Sequence, residues 1–424
     1  MTWHSDRMDF PPPCNREPRL PTALPLTLLA LFLISAVAPH RAIAESTSCL
    51  TPICHGPLLE TKVLHPPAAE DCLGCHASAS ASHPSGKGPD FPPSVEGADL
   101  CFQCHDQGSF SHPVTHGPAA SGACTYCHSP HGGDSAAMLK RPVRDLCLSC
   151  HTTMAEDLRQ GELLHSAITE QECISCHQPH GSARKQLLLK EGQELCFDCH
   201  EEIGHIRQTA AAGHQTLFAE RGCGACHSTH VSDFANLLNT PAEQLCLDCH
   251  NKDNPATRKL RDIRAEVSGK KYQHAPLAGE GCSACHNPHG SSSPLLLNQQ
   301  YPAGVYAPFT KDTYAFCFQC HEAGAFTEQY TENLTSFRNG KRNLHFLHAN
   351  QGNKGRTCQM CHNPHASDVE HLINTAGMPF GKWRIPVEYL ARENGGRCAP
   401  GCHREIEYDR ATPLDYEKQA TREE

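Results

Sequence analysis

His165-Ser-Ala-Ile-Thr-Glu-Gln-Glu-Cys173-Ile-Ser-Cys176-His177-Gln-Pro-His180-Gly181, continued by Leu195-Cys196-Phe197-Asp198-Cys199-His200, is one period of a repeat that runs along the chain. The next period has His214, then Cys223-Gly-Ala-Cys226-His227-Ser-Thr-His230, then Leu245-Cys246-Leu-Asp-Cys249-His250. Outward from these lie His116 with motifs at Cys124 and Cys147, His274 with motifs at Cys282 and Cys317, and His348 with motifs at Cys358 and Cys398. Motifs at Cys72 and Cys101 form a looser first repeat, preceded by a lone site ending in His55. The first cysteines of successive repeats are 52, 49, 50, 59 and 76 residues apart, so the last two repeats are expanded. A fixed period of this kind marks a repeat architecture.

Every cysteine after Cys14 belongs to this pattern. The pairs are Cys49 with Cys54, Cys72 with Cys75, Cys101 with Cys104, Cys124 with Cys127, Cys147 with Cys150, Cys173 with Cys176 and Cys196 with Cys199. They continue as Cys223 with Cys226, Cys246 with Cys249, Cys282 with Cys285, Cys317 with Cys320, Cys358 with Cys361 and Cys398 with Cys402. Each is followed at once by a histidine: His55, His76, His105, His128, His151, His177, His200, His227, His250, His286, His321, His362 and His403. Eleven of the 13 are Cys-x-x-Cys-His; the first has four residues between its cysteines and the last has three. The composition would give roughly 0.1 strict motifs by chance. Two thiols and a histidine at this spacing suit one chemistry: the thiols bond the two vinyl groups of a haem, and the adjacent imidazole binds its iron. The pattern thus predicts 13 covalent haem c groups. The second motif of each repeat is expected to open a short helix. Thr240-Pro241-Ala242-Glu243 predicts one such helix, with Thr240 as cap and Pro241 at the first helical position. On it Cys246, Cys249 and His250 would share a face.

Histidine is abundant enough to fill the other side of each iron. Twelve candidates recur: His65, His116, His165, His214, His274 and His348 upstream of the motif pairs; His131, His180, His230, His289 and His365 three residues beyond a motif; and His83 in the loose first repeat. A histidine tethered three residues from the proximal ligand lies on the same side of the porphyrin, so it should serve a neighbouring haem. His112, His205, His345 and His371 remain for the thirteenth haem, or as alternatives. Paired histidine ligation implies lower potentials than Met/His ligation.

The remaining composition agrees. With 27 cysteines, 31 histidines and 6% aromatics in 424 residues, side chains alone make a poor core. Residues 1–44 read as an export signal: Arg7, Arg16 and Arg19, an apolar stretch centred on Leu28-Leu29-Ala30-Leu31-Phe32-Leu33-Ile34, then Ala42-Ile43-Ala44 as a cleavage site. Residues 45–68 would hold the first site, 69–270 repeats one to four, 271–403 the expanded repeats and 404–424 a polar tail. The formal charge of −10 argues against nucleic acid as a partner. The basic run Arg258, Lys259, Arg261, Arg264, Lys270, Lys271 reads as a solvated helix or loop. Tyr301, Tyr306 and Tyr314 in one insertion, and Trp383 and Tyr389 in another, read as surface loops or packing elements.

The paired Cys-x-x-Cys-His repeat resembles the doubled-CxxCH multihaem cytochromes c over residues 49–403. That resemblance implies mostly coil with short α-helices, few or no β-strands, and bis-histidine haem iron. With it goes an elongated architecture organised around a stacked haem chain. It also implies electron transport through the periplasm, through an outer-membrane porin, or along extracellular filaments. The expected partners are other redox proteins, such as cytochromes or quinol-linked donors. Zinc sites or a disulfide scaffold would not need a histidine after every second cysteine. An oxidoreductase reducing a small nitrogen or sulfur compound is the rival reading. It requires an iron with an open position, and the stretched motifs at Cys49 and Cys398 are the places to look.

Overall fold

The computed structural model describes residues 49–51, 54–79, 83–85, 89–170, 172–253 and 261–416. The proposed signal, and Arg258 and Lys259 of the basic run, lie outside them. The described residues divide into two compact units. One holds residues up to Ala155 together with the segment ending at Cys199; the other holds Glu156–Glu170 and everything from His200 onward.

The chain is mostly coil with short helices. First motifs sit on single turns of tight helix, at Cys72–Gly74, Cys124–Tyr126, Cys173–Ser175, Gly222–Ala225 and Gly281–Ala284. Second motifs do not open helices, as the sequence suggested, but close them. Their first cysteines lie in the last turn of Ala98–Phe102, Val143–Leu148, Gly192–Cys196, Ala242–Leu247 and Ala315–Phe318. The 240s helix also starts one residue later than expected. Pro241 is the cap, no side chain caps the helix, and the Thr240 hydroxyl is buried without a partner.

Strands are mostly two-residue stitches. Val63–Leu64 pairs with Gly132–Gly133, and Val114–Thr115 with Gly181–Ser182, in the first unit. Leu163–Leu164 pairs with Val231–Ser232, and Tyr272–Gln273 with Ala366–Ser367, in the second. Each stitch joins the residues before an upstream histidine to those after a Cys-His-x-x-His histidine. Gly132 permits that approach, because a Cβ there would lie 2.9 Å from the Val63 carbonyl oxygen. Sheet structure of ordinary length appears at the C-terminal end, where Val387–Arg392, Gly395–Pro400 and Ile406–Asp409 form an antiparallel sheet in that order. The alternation of Val387, Tyr389 and their neighbours suits it, and Cys398 of the last motif lies on its central strand, opposite Tyr389.

Buried apolar side chains are unevenly shared. The first unit has none among the described residues, whereas the second has eighteen, from Leu158 to Tyr408. Its largest clusters join Val305, Met360, Ile373, Ile385 and Val387, and Leu297 with Tyr301 and Tyr314. The expanded repeats thus supply side-chain core, with Tyr301 and Tyr314 buried and Tyr306 and Trp383 exposed. In the described part of the basic run Arg261 pairs with Glu266, Arg264 with Asp248 at 3.2 Å and Lys270 with Asp368 at 2.7 Å, while Lys271 lies over the Tyr272 ring at 5.0 Å.

Candidate haem-binding sites

The motif backbone closes one helical turn. In first motifs the histidine N–H donates to the carbonyl of the first cysteine, as from His76 to Cys72 at 3.0 Å, and Cys75 reaches the same oxygen at 3.3 Å. Second motifs repeat that turn beyond the end of their helices. His105 donates to Cys101 at 2.9 Å, and His151, His250 and His321 donate to Cys147, Cys246 and Cys317 at 3.0 Å. Both thiols and the imidazole are therefore gathered as expected, although Cys104, Cys150, Cys199, Cys249 and Cys320 all lie past the last helical residue.

That placement makes the thiols unequal. Cys104, Cys150, Cys199, Cys249 and Cys320 are exposed, whereas their partners Cys101, Cys147, Cys196, Cys246 and Cys317 are half-buried against the helix. In first motifs both thiols are half-buried, as at Cys72 and Cys75. The described parts of the two stretched motifs differ from this turn. Cys54 is exposed and its N–H donates to the Thr51 carbonyl at 3.0 Å; Cys402 is exposed just past the strand Gly395–Pro400, and His403 donates to the Pro400 carbonyl at 3.4 Å.

The motif histidines do not stand alone. Among the described residues, five imidazole pairs face each other within the first unit: His55–His83 at 5.9 Å between ring centres, His65–His105 at 6.2 Å, His76–His131 at 5.9 Å, His116–His151 at 6.1 Å and His128–His180 at 6.0 Å. In the second there are seven: His165–His200 at 6.1 Å, His214–His250 at 6.3 Å, His227–His289 at 6.0 Å, His274–His321 at 6.0 Å, His286–His365 at 6.3 Å, His345–His362 at 6.3 Å and His348–His403 at 6.5 Å. The ring planes are within 41° of parallel.

The spacing is informative because it leaves room for an atom between the two rings. Two metal–nitrogen bonds of about 2 Å, plus about 1.1 Å from each nitrogen to its ring centre, put the centres of two axial imidazoles about 6.2 Å apart. The observed 5.9–6.5 Å brackets that value. The residues present therefore fit a haem: two thiols on one edge, one imidazole below and another facing it. All 26 described cysteines are thiols free of disulfides.

The pairing follows a rule. Upstream histidines face the second motif of their own repeat, as in His65–His105, His116–His151, His214–His250 and His274–His321. Cys-His-x-x-His histidines face the first motif of the preceding repeat, as in His76–His131, His128–His180, His227–His289 and His286–His365. The closing repeat has no successor. There His345, one of the four histidines kept for the thirteenth haem or as alternatives, faces His362. The signal lay in the accounting, since the last first motif lacks a following Cys-His-x-x-His. His83 faces His55 of the lone site. Of the remaining alternatives, the ring nitrogen of His112 lies 3.1 Å from the Ser109 carbonyl, His205 lies on the helix Glu201–Thr209, and His371 lends its own carbonyl to His362.

His345 is held by a local device. Asn343 caps the helix Leu344–Ala349 by accepting from the backbone N–H groups of His345 and Phe346, at 3.0 and 3.3 Å. Its own amide donates to the Ala325 and Glu328 carbonyls at 2.9 and 2.7 Å, so the cap is anchored in the interior. His345 and His348 then project from neighbouring positions on that helix. Burial, with the neighbouring histidines, pushes the His345 imidazole down to about 3 and keeps it in the neutral form that binds metals.

A second device was invisible in the sequence. Five times, two consecutive non-glycine residues take left-handed backbone: Ala137-Met138, Gln186-Leu187, Asn236-Leu237, Leu295-Leu296 and His371-Leu372, with φ between 52° and 61°. Each pair lies nine residues past a first-motif histidine, and its first carbonyl accepts from that ring's Nδ1: His128 at 2.9 Å, His177 at 2.7 Å, His227 at 2.8 Å, His286 at 2.8 Å and His362 at 2.7 Å. Nδ1 bonding fixes the tautomer and leaves Nε2 free for iron. Bulky residues held at positive φ carry roughly 1–2 kcal/mol of strain each. Asn236→Val, which adds β-branching there, is expected to cost on the order of 1–2 kcal/mol and to broaden the haem Soret band. Asn236→Gly should do neither, and thermal melts followed at that band check both.

Thiols of successive motifs are also neighbours. Burial and the adjacent Cys173 push Cys147 up to about 11, and burial with Cys398 pushes Cys361 up to about 12. A hydrogen bond to Cys282 raises Cys246, and one to Cys358 raises Cys317. Thioether edges of consecutive sites would thus lie side by side.

Repeated two-thiol, two-imidazole sites define a multihaem c-type cytochrome, a protein that transfers electrons through covalently bound haem. The family model for the doubled CXXCH motif matches residues 65–110, 116–156, 165–205, 216–255 and 274–326. These five matches cover about half the chain, and the protein belongs to that family. No curated protein matches the chain.

Proposed function

We propose that the mature protein is an exported electron relay holding thirteen haems, each ligated by two histidines. When bound, haem c supplies one-electron ferric–ferrous chemistry, and the chain's residues set where and how readily it happens. The motif thiols would hold each ring, the motif histidines would ligate its iron, and the facing histidines would supply the second ligand. The twelve facing imidazole pairs carry this reading: they leave those irons no position for a substrate, which favours relay over catalysis. The side-by-side thiols of successive motifs support transfer from site to site in sequence order within each unit.

The residue 1–44 segment supports delivery across the inner membrane, where haem is attached and electron donors such as quinol-linked cytochromes operate. From there the relay would work in the periplasm, within an outer-membrane porin, or as a filament subunit. Co-purification of a barrel protein would assign the second route, and fibres in micrographs the third. Low-temperature electron paramagnetic resonance of the ferric protein tests the relay itself. Low-spin signals throughout are expected, unchanged by azide or cyanide. A high-spin signal that responds to those ligands would reinstate the oxidoreductase reading.

A further inference from the structure

Most Nδ1 anchors of the facing rings are neutral. Besides the five left-handed turns, the Phe91 carbonyl accepts from His76 at 2.8 Å, Pro130 from His65 at 2.8 Å, Pro179 from His116 at 2.9 Å, Leu344 from His348 at 2.7 Å and Arg404 from His403 at 2.6 Å. His345 shares a hydrogen bond with the Thr335 hydroxyl at 2.9 Å. Among the described residues, two rings are seen instead to meet an anion. His83 places Nδ1 2.9 Å from a carboxylate oxygen of Asp90, and His365 places Nδ1 3.3 Å from one of Glu266.

Both carboxylates are built into their surroundings. Asp90 is buried, 8% exposed, and it accepts from the Ser85 backbone N–H at 2.7 Å and from the Ser85 hydroxyl. Those donors, then His83, hold its carboxyl below the usual range. Glu266 sits on the helix Ile263–Val267 with its side chain 23% exposed, against Arg261. Burial pushes its carboxyl up, and the bond from His365 with the Arg261 guanidinium outweighs that and holds it below the usual range.

We propose that Asp90 and Glu266 are potential-setting residues, which make the His55/His83 site the lowest-potential haem of the first unit and the His286/His365 site that of the second. An Nδ1–H donated to an anion gives the imidazole more imidazolate character than one donated to a carbonyl. A more basic ligand stabilises ferric over ferrous iron and lowers the potential. The effect is larger at Asp90, whose described partners are Ser85 and His83, than at Glu266, where Arg261 takes part of the charge. His286 is also bonded to the Leu295 carbonyl, so at the second site both rings are polarised in the same sense. Neither residue touches a reacting atom; each acts through the histidine it holds.

The inference rests on the axial pairing proposed above, and the two fail differently. The experiment is a spectroelectrochemical titration of the full haem-loaded protein with Asp90→Asn, Glu266→Gln and the charge-retaining Asp90→Glu. Asp90→Asn keeps an acceptor oxygen and removes the charge. One haem's share of the α-band change should leave the lowest-potential step and move upward, more so than in Glu266→Gln, while haem content and low-spin spectrum stay as they were. Asp90→Glu should restore the low step. A lowest step that stays in place in both neutral variants overturns the proposal while leaving the axial pairing intact. Haem loss in Asp90→Asn that Asp90→Glu does not repair also overturns it, because Asp90 would then hold the fold and not the potential. A parent protein that is not low-spin contradicts the pairing itself.

Discussion

Replacing His345 with alanine is expected to turn one haem, that of the Cys358–Cys361 motif, from low-spin to high-spin. His345 is the only described imidazole facing His362, at 6.3 Å. Its nearest substitute, His348, faces His403 at 6.5 Å and is tied to the Leu344 carbonyl at 2.7 Å. The helix carrying both is fixed by the buried Asn343 cap, so it cannot turn to present His348 instead. The site should bind exogenous imidazole, because Phe326 and Phe337 keep an apolar wall beside the position, at 4.9 and 5.2 Å from the native ring. Axial ligation spans about 0.8 V across haem proteins, and losing one strong donor should raise this haem's potential by on the order of 0.1 V. A single new high-spin signal that disappears on adding imidazole is the expected observation. An unchanged low-spin spectrum would mean that another residue ligates that iron.

A chain made without haem attachment is expected not to fold at all. The first unit has no buried apolar side chain among the described residues, and its strands are two-residue pairs. Ordering a residue's backbone costs about 1–2 kcal/mol, and a buried aliphatic side chain returns about 1.5–3 kcal/mol, so this unit has almost nothing of its own to offset the cost. The second unit is better provided, yet its eighteen buried apolar residues are spread over more than two hundred positions. Haem faces packed between imidazole pairs and coil are the remaining source of apolar contact. Thermal melts followed by circular dichroism should show no cooperative transition for the haem-free chain and a clear one for the loaded protein. A cooperative melt in both would show that the polypeptide has a core of its own.

The motifs were legible because haem attachment is local chemistry: two thiols and an imidazole within five residues suffice, whatever the fold. The tether argument for Cys-His-x-x-His was legible for the same reason, and His131, His180, His289 and His365 do face motifs of the preceding repeat. The helices of the second motifs were legible in kind but not in extent, since Cys104, Cys150 and Cys320 hold the turn without belonging to the helix. His345 was not legible, because the four remaining histidines looked alike until the Asn343 cap and the Leu344–Ala349 helix were seen. The left-handed turns were hidden more deeply. Ala-Met, Gln-Leu and Leu-Leu contain no glycine, and only the carbonyl each turn aims at a proximal ring explains why the strain is kept. The C-terminal sheet was missed because the strict motifs hold a helical turn, whereas the extra residue between Cys398 and Cys402 lets the chain leave a strand and bend to His403.

X-ray absorption at the iron edge, combined with a pyridine haemochrome count, tests the central claim most directly. The account predicts close to thirteen haems per chain, each iron in a six-nitrogen shell with no sulfur scatterer near about 2.3 Å. Sulfur in the first shell, or a count far below thirteen, would contradict it.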